Sequence, residues 1–564
     1  MNTEKEPTGF PSKDKPWLKY YENRKGKCLD RNKSIYQHFI DVVNEFPEEL
    51  VYIDYKSGER ITYTELLKEV DRFASALSAS GINTSSTVGL FSLNSCFETI
   101  IILGANKIGA TLKFIDLDLS IKGLTECLID VDILVLEDAF IDIEPAFNTK
   151  GILTVVYGST KSQIRDNCVT YSDFISKGND SASVNICCDN KKPSMIIYSS
   201  GSTGKAKPIV HSNNTVITAI EKMFYSDYPI NNDNMLIKVI PSHIGLGSIT
   251  TMLTSILSGT TFISVKSEYN IEKLAEAMFS LIKNYPVWSV EQNFETQKGL
   301  LVFASPYFSY YILNHIEQIT DLSFVKGILL GGSKIDPVLL SQMNTAFRKK
   351  GMNVPICNGY GQNEMAGAIA LNTVHYNKDG SAGYPVFNTV IRIVDKDTLE
   401  ELPYNKTGLI LEKSDSRFLY YYNLPDKTKN ALVTLPDGTI WFNSTDLGYM
   451  DEDGFVFITG RTTRTVIRTD YKVSLENIED KIKGLPEISN VAVVSINNGK
   501  TLIAFVSTDK LLNDAEIMEI IKEQSECSVL EMPDRVIQLK QMLYMNNGKI
   551  DYRTLEKIAE EKGE

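Results

Sequence analysis

Long apolar runs are missing from this sequence. Nowhere does it sustain the roughly 18 to 20 apolar residues that a membrane-crossing helix needs, and its opening stretch, MNTEKEPTGFPSKDKPWLKYY, has no apolar core of signal-peptide length. Both absences lead to the expectation of a cytoplasmic protein without a transmembrane segment. Positive charge is also scarce: 58 Lys and Arg stand against 71 Asp and Glu, a net charge of -13. A nonspecific nucleic-acid binder needs a basic face to replace counterions, so no nucleic-acid partner is expected. The five histidines (38, 211, 243, 315 and 375) show no ligand spacing, and the eight cysteines are scattered, with only Cys187 and Cys188 adjacent and no CxxC. Reduced thiols without structural zinc are the expectation. No GxGxxG occurs either, which leaves Rossmann-type dinucleotide binding without support.

What is present is a chain of 564 residues, 43% of them hydrophobic, in which short apolar runs alternate with helix-like segments. That alternation predicts α/β layers. ITYTELLKEVDRFASALSASGI (61–82) carries Leu66, Leu67, Val70, Phe73 and Leu77 at helical spacing. TVGLFS and ETIIILGANKIGA continue as strand and helix. Near residue 461 the texture changes: SLENIEDKIKGL reads as an amphipathic helix, NVAVVSI and LIAFVS as strands, and NDAEIMEIIKEQ as a helix opened by an Asn/Asp cap. The expectation is a large N-terminal α/β body, residues 1–461, and a small, mobile α+β domain, residues 462–564. GRTTRTVIRTD (460–470), polar and poor in apolar anchors, is the expected linker.

The most informative stretch is YSSGSTGKAKPIVHS (198–212). After the strand-like run PSMIIYSS, Ser199, Ser200, Ser202 and Thr203 offer hydroxyls, while Gly201 and Gly204 let backbone N–H groups turn inward to form an anion nest. Lys205 and Lys207 add cations, so the loop suits phosphate. It is not a P-loop, because only two residues separate the glycines and Ala206 follows Lys205.

This loop resembles the phosphate loop of the adenylate-forming superfamily of acyl-CoA synthetases, luciferases and peptide-synthetase adenylation domains. Four further segments match that family in order. NGYGQNEMAG (358–367) resembles its Tyr-Gly-x-Thr-Glu motif, GSAGYPV (380–386) the Gly-rich turn after it, STDLGYMDEDGFVFITGR (444–461) the Asp-containing strand pair before the hinge, and LYMNNGKIDYRTL (543–555) the catalytic-lysine loop. The resemblance implies ATP and Mg²⁺ as cofactors, a small carboxylic acid as substrate, and a thiol acceptor, coenzyme A or an acyl carrier protein.

Glu364 is then a candidate magnesium ligand, since Mg²⁺ typically takes one or two carboxylates beside phosphate and water. Asp446 can accept from both ribose hydroxyls, Arg461 can donate to ribose or phosphate, and the ring of Tyr360, between Gly359 and Gly361, can lie on adenine. By resemblance, Gly331, Gly332 and Ser333 form the far side of the adenine slot and Asn358 reaches the base's amino group. Lys549, in the turn NNGKI, would bridge the substrate carboxylate and the nucleotide.

The sequence departs from the family at several positions. Asn363 stands where Thr is expected and could still donate to phosphate. Thr463 replaces a charged hinge residue, and Asp470 stands where a glycine usually lets the pantetheine arm approach, with Arg468 and Lys472 expected to flank it on one side. In PSHIGLGSITTMLTSILSG (241–259), the expected wall of the acid pocket, His243 is the only ionisable residue. The absence of an Asp partner for an α-ammonium favours a plain carboxylic acid, such as a fatty acid, over an amino acid. The reaction expected is ATP-dependent formation of an acyl-adenylate and acyl transfer to coenzyme A. Loading of a carrier protein, and a nucleotide-binding homologue without turnover, are the alternatives.

Overall fold

A computed structural model describes residues 7–22, 24, 26–158, 166–178, 186, 189–199, 207–266, 270–292, 294, 297–468, 471–497, 499–546 and 548–562. Two large, mostly parallel sheets form the body. The first has nine strands, with Ile356–Gln362, Val325–Leu330, Gly299–Ala304, Asn234–Lys238, Thr261–Ser264 and Leu50–Asp54 running parallel at its centre. The second has eight, with Pro193–Tyr198, Thr111–Phe114, Thr87–Phe91 and Ile133–Glu137 at its centre, also parallel. Antiparallel strands extend each sheet at one end: Gly367–Leu371 and then Tyr384–Pro385 on the first, Pro208–Ser212 and then Tyr420–Tyr421 on the second.

The helices behave as their periodicity predicts. Tyr63–Ala79 starts at a capping box made by Thr62 and Glu65 and buries Leu66, Val70, Phe73 and Leu77 completely. Glu98–Ile108 is buried along its whole length, including Asn106 and Lys107. A helix enclosed on every side cannot be amphipathic, which explains its nearly unbroken apolar text.

A third, five-stranded sheet includes the antiparallel strands Thr389–Val394, Gly408–Ser414 and Ile440–Met450, the last of which pairs with Val456–Arg461. Beyond it, a small α+β C-terminal domain contains the three-stranded sheet of Asn490–Ile496, Thr501–Ser507 and Arg535–Gln538. The helices Leu475–Lys483 and Asp514–Gln524 pack on one face of that sheet and Tyr552–Glu561 on the other. Asn513 and Glu516 make the capping box at the second of these helices.

The expected linker is structured. Thr462–Arg464 forms one tight turn, and Thr465–Arg468 pairs as an antiparallel strand with Tyr471–Ser474. Val466 packs against the small core, and the other anchors are ionic, which is why hydropathy misses them. Arg464 holds both oxygens of Glu479 at 2.8 and 3.1 Å, donates to the Val493 carbonyl at 2.7 Å and lies 4.0 Å above the Tyr552 ring. Arg464→Ala strands the largely buried Glu479 carboxylate, so it should destabilise the C-terminal domain by about 3 kcal/mol. Amide exchange in Asn490–Ile496 and Thr501–Ser507 would report the loss.

Among the described residues, no helix is long and apolar enough to cross a membrane.

Candidate active site

Parallel sheets present the carboxyl ends of their strands as a crevice, where ligands of open α/β folds bind. Here Ser199, Ser305, Gly331, Gly332 and the run Gly359–Glu364 sit at such ends and line one cavity of about 450 Å³. Arg461 and Lys549 close it from the C-terminal side. Segments far apart in sequence thus share one space.

Glu364 is 7% exposed. Its Oε1 accepts from the Tyr421 hydroxyl at 2.8 Å and lies 3.6 Å from Lys207 Nζ, which itself sits 4.6 Å over the Tyr421 ring. Tyr421 carries no motif in the sequence, yet it pairs with the strand Pro208–Ser212 that follows Lys207, accepts from Lys207 at 3.2 Å and donates to the acid. Asn363 donates to the Tyr198 carbonyl at 2.7 Å and accepts from Gly245 N–H at 3.2 Å, joining the two crevice edges.

Lys549 reaches the cavity because its loop is clamped onto the body. Gly548 has φ of +79° and packs so tightly that a β-carbon there would stand 2.2 Å from Ser305 Oγ, so only glycine fits. Tyr544 meets Tyr307 edge-on at 5.0 Å, and Asn546 donates to Asp118 at 2.9 Å. Lys549 Cε lies 3.5 Å from the point where a β-carbon on Gly332 would be. Burial, followed by the nearby Arg461 charge, lowers the Lys549 pKa to about 8, with Glu364 and Asp446 acting the other way.

Asp446 is 1% exposed and lies behind Arg461, whose Nε donates to Oδ1 at 2.7 Å. Oδ2 accepts from the Tyr360 hydroxyl at 2.6 Å and from Gln362 at 2.7 Å. Ser333 is exposed and Asn358 is tied to Ser381 and Asn372; neither lines the cavity. Ser200, Gly201, Ser202, Thr203, Gly204 and Asp470 lie outside the described residues.

Two expectations need correction. Arg468 and Lys472 do not share one extended run, because the chain reverses between them, and Arg468 is engaged by Asp534 and by the Leu530 and Met532 carbonyls. His243 does not line the cavity. It is buried with Nε2 3.6 Å from Asp116 Oδ1, a carboxylate contributed by a distant segment. Asp116, Asp118 and His243 bring ligand atoms within 4.8 Å of one another, a grouping that spacing in the sequence does not reveal.

The apolar end of the cavity is built by Leu246, Leu329, Ala368 and Leu371, which pack together, with Ile240, Ile244 and Thr250 nearby. Leu246 and Thr250 lie on the π-helical stretch Leu246–Leu253, within the predicted pocket wall. Gly367, at φ +134°, passes Thr250 so closely that a β-carbon would stand 2.8 Å from Oγ1.

The profile of the family described as AMP-binding enzyme matches residues 39–422. Peroxisomal OPC-8:0-CoA ligase 1 of Arabidopsis thaliana is 25% identical over 488 residues, 84% of each chain. 4-Coumarate–CoA ligase 1 of the same plant is 23% identical over 526 residues, 88% of each. The ATP-bound crystal structure of MatB from Rhodopseudomonas palustris superposes with a TM-score of 0.78 at 19% identity, covering 95% of this chain and all of that one (100%), a likeness of fold. With the family profile spanning most of its body, this chain belongs to the AMP-binding enzymes.

Proposed function

We propose that this protein is an ATP-dependent acid–CoA ligase. A carboxylate oxygen attacks the α-phosphorus of ATP, pyrophosphate leaves, and the acyl-adenylate is then attacked at its carbonyl by the thiol of coenzyme A, which releases AMP. The reading rests most heavily on one observation: Lys549 enters the same cavity as Tyr360, Lys207 and Glu364, a cavity that also has an apolar wall.

In this reading the Tyr360 ring carries adenine, Arg461 and Asp446 take the ribose, and Lys207 and Ser199 face the phosphates together with Ser200, Gly201, Ser202, Thr203 and Gly204. Asp446, behind Arg461, accepts from its Nε and so orients the guanidinium that lines the cavity on the ribose side. Asn363 spends one amide hydrogen on Tyr198 and keeps the other for phosphate. Glu364 would hold Mg²⁺: Oε1 is used by Tyr421, and Oε2 has no partner among the described residues. The ion would neutralise phosphate charge. Lys549 holds the two anions together while charge moves from carboxylate to leaving pyrophosphate.

The acid is a plain one without a second charge, with fatty acids the simplest candidates, because the described side chains at the apolar end carry no ion. Residues 1–461 form the nucleotide-binding body and residues 462–564 the domain that delivers Lys549. ATP–pyrophosphate exchange over a panel of carboxylic acids, followed by assay of acyl-CoA, is the test. Exchange with at least one monocarboxylate and thioester formation from it are expected. Exchange without thioester would replace coenzyme A with another acceptor, and no exchange with any acid would end the ligase reading.

A further inference from the structure

Behind the nucleotide side of the cavity lies a carboxyl group that this scheme leaves unused. Glu412 sits in the apolar strand Gly408–Ser414 and is 0% exposed. Its Oε1 is 2.7 Å from the Tyr360 hydroxyl, which is also 2.6 Å from Asp446 Oδ2. Gln362 Nε2 is 2.8 Å from that hydroxyl.

The hydrogens can be counted. A phenol has one to donate and two lone pairs to accept with, so it cannot donate to two carboxylates. Asp446 already accepts from the Arg461 guanidinium at 2.7 Å and from Gln362 at 2.7 Å, so it is the acceptor of the phenol hydrogen as well. The Tyr360 oxygen then accepts from Gln362, and its remaining lone pair faces Glu412 Oε1. A bond forms there only if Glu412 brings a proton of its own.

The surroundings agree. Glu412 Oε2 is buried with no hydrogen-bond partner, tolerable for the carbonyl of a neutral acid and far more costly for a carboxylate. The buried Lys222 spends its ammonium on the Ala368 carbonyl at 3.0 Å and on Ser416 Oγ at 2.6 Å, not on Glu412. Of the other groups acting on Glu412, Asp446 and Glu364 are negative and oppose its ionisation, and burial is the largest influence, raising its pKa well above the carboxylate range. Lys222, itself lowered to about 7 by burial, acts the other way and is close to Asp415.

We propose that Glu412 is a positioning residue for the nucleotide: a neutral carboxylic acid that donates to the Tyr360 hydroxyl, so that the ring is held at the adenine wall and its proton is directed to Asp446. The proposal rests on the reading that the cavity takes ATP. No part of it involves the acid pocket, so its signature is on nucleotide affinity.

The test compares wild type, Glu412→Gln and Glu412→Leu in ATP binding by titration calorimetry and in thermal midpoint between pH 5 and 8. Glutamine offers an N–H donor from the same place and cannot ionise, so ATP affinity should stay within about twofold. Leucine removes the donor and should weaken ATP about tenfold, the scale of one lost hydrogen bond in a charged network, without lowering the thermal midpoint. The sign of the pH effect follows from linkage. A carboxyl neutral in the fold and ionised when unfolded stabilises below its unfolded pKa, and that contribution is lost as pH rises towards the folded value. The midpoint of Glu412→Gln should therefore gain on wild type as pH rises from 5 to 8. Glu412 acts on Lys222 only when ionised, so a neutral Glu412 and a glutamine leave the Lys222 titration the same in both proteins. Wild-type ATP affinity in Glu412→Leu would overturn the assignment, as would a glutamine variant as weak as the leucine variant or a pH-independent midpoint difference. Failure of wild type to bind ATP would overturn the reading of the cavity itself.

Discussion

Replacing Lys549 with alanine is expected to slow ATP–pyrophosphate exchange by about 10²-fold or more while leaving the thermal midpoint in place. The lysine lies on a clamped loop, against Gly332 and in the cavity that holds Glu364 and Tyr360. A cation at this point costs desolvation in the free protein, which its pKa near 8 records, and is repaid when two anions arrive. The pH dependence has a definite sign. The ammonium is present below about pH 8 and lost above it, so exchange at low substrate concentrations should fall as pH rises through that value. Lys549→Arg should move this descending limb upwards, because guanidinium stays protonated, at a lower maximal rate. Exchange by Lys549→Ala at the wild-type rate would remove the lysine from the chemistry.

The second large effect concerns the acid. Between acids of equal length, a monocarboxylate such as hexanoate should exceed the dicarboxylate adipate by about 10³-fold in kcat/KM for exchange. Leu246, Leu329, Ala368 and Leu371 offer a second carboxylate neither a cation nor a hydrogen-bond donor, and the cations lining the cavity, Lys207, Lys427, Arg461 and Lys549, are contributed by other segments. An unpaired charge forced into such a wall costs several kcal/mol, which sets the scale of the discrimination. Equal rates for the two acids would mean that the distal end of the substrate lies outside this wall.

Much of this is legible in the amino-acid order, for a reason visible in particular residues. The helix Tyr63–Ala79 announces itself through Leu66, Val70, Phe73 and Leu77, and its cap through Thr62 and Glu65. The elements of the C-terminal domain are read the same way, from Asn513 and from the alternation of short apolar strands with helices. Ser199, Lys207, Tyr360, Glu364, Arg461 and Lys549 are named by local motifs, and all of them line one cavity. Glu412 leaves no such sign: in the strand it is one acid among Leu409, Ile410 and Leu411, and its meaning depends on Tyr360 and Asp446.

By itself, then, the sequence determined the α/β layering, the order of the elements and the residue types available for binding phosphate, because these depend on propensity, periodicity and turn chemistry within a few positions of each residue. Tertiary structure alone decided which side chains meet. It placed Asp116 beside His243, tied the expected linker to Glu479 through Arg464, put Arg461 in front of Asp446 and made Tyr360 the common neighbour of two carboxyl groups. Asp116 with His243 and Tyr360 with its two carboxyl groups join positions far apart along the chain, Arg461 with Asp446 and Arg464 with Glu479 span 15 positions, and all their energies depend on burial and on the sharing of single hydrogens. Neither quantity exists until the sheets have closed around the cavity.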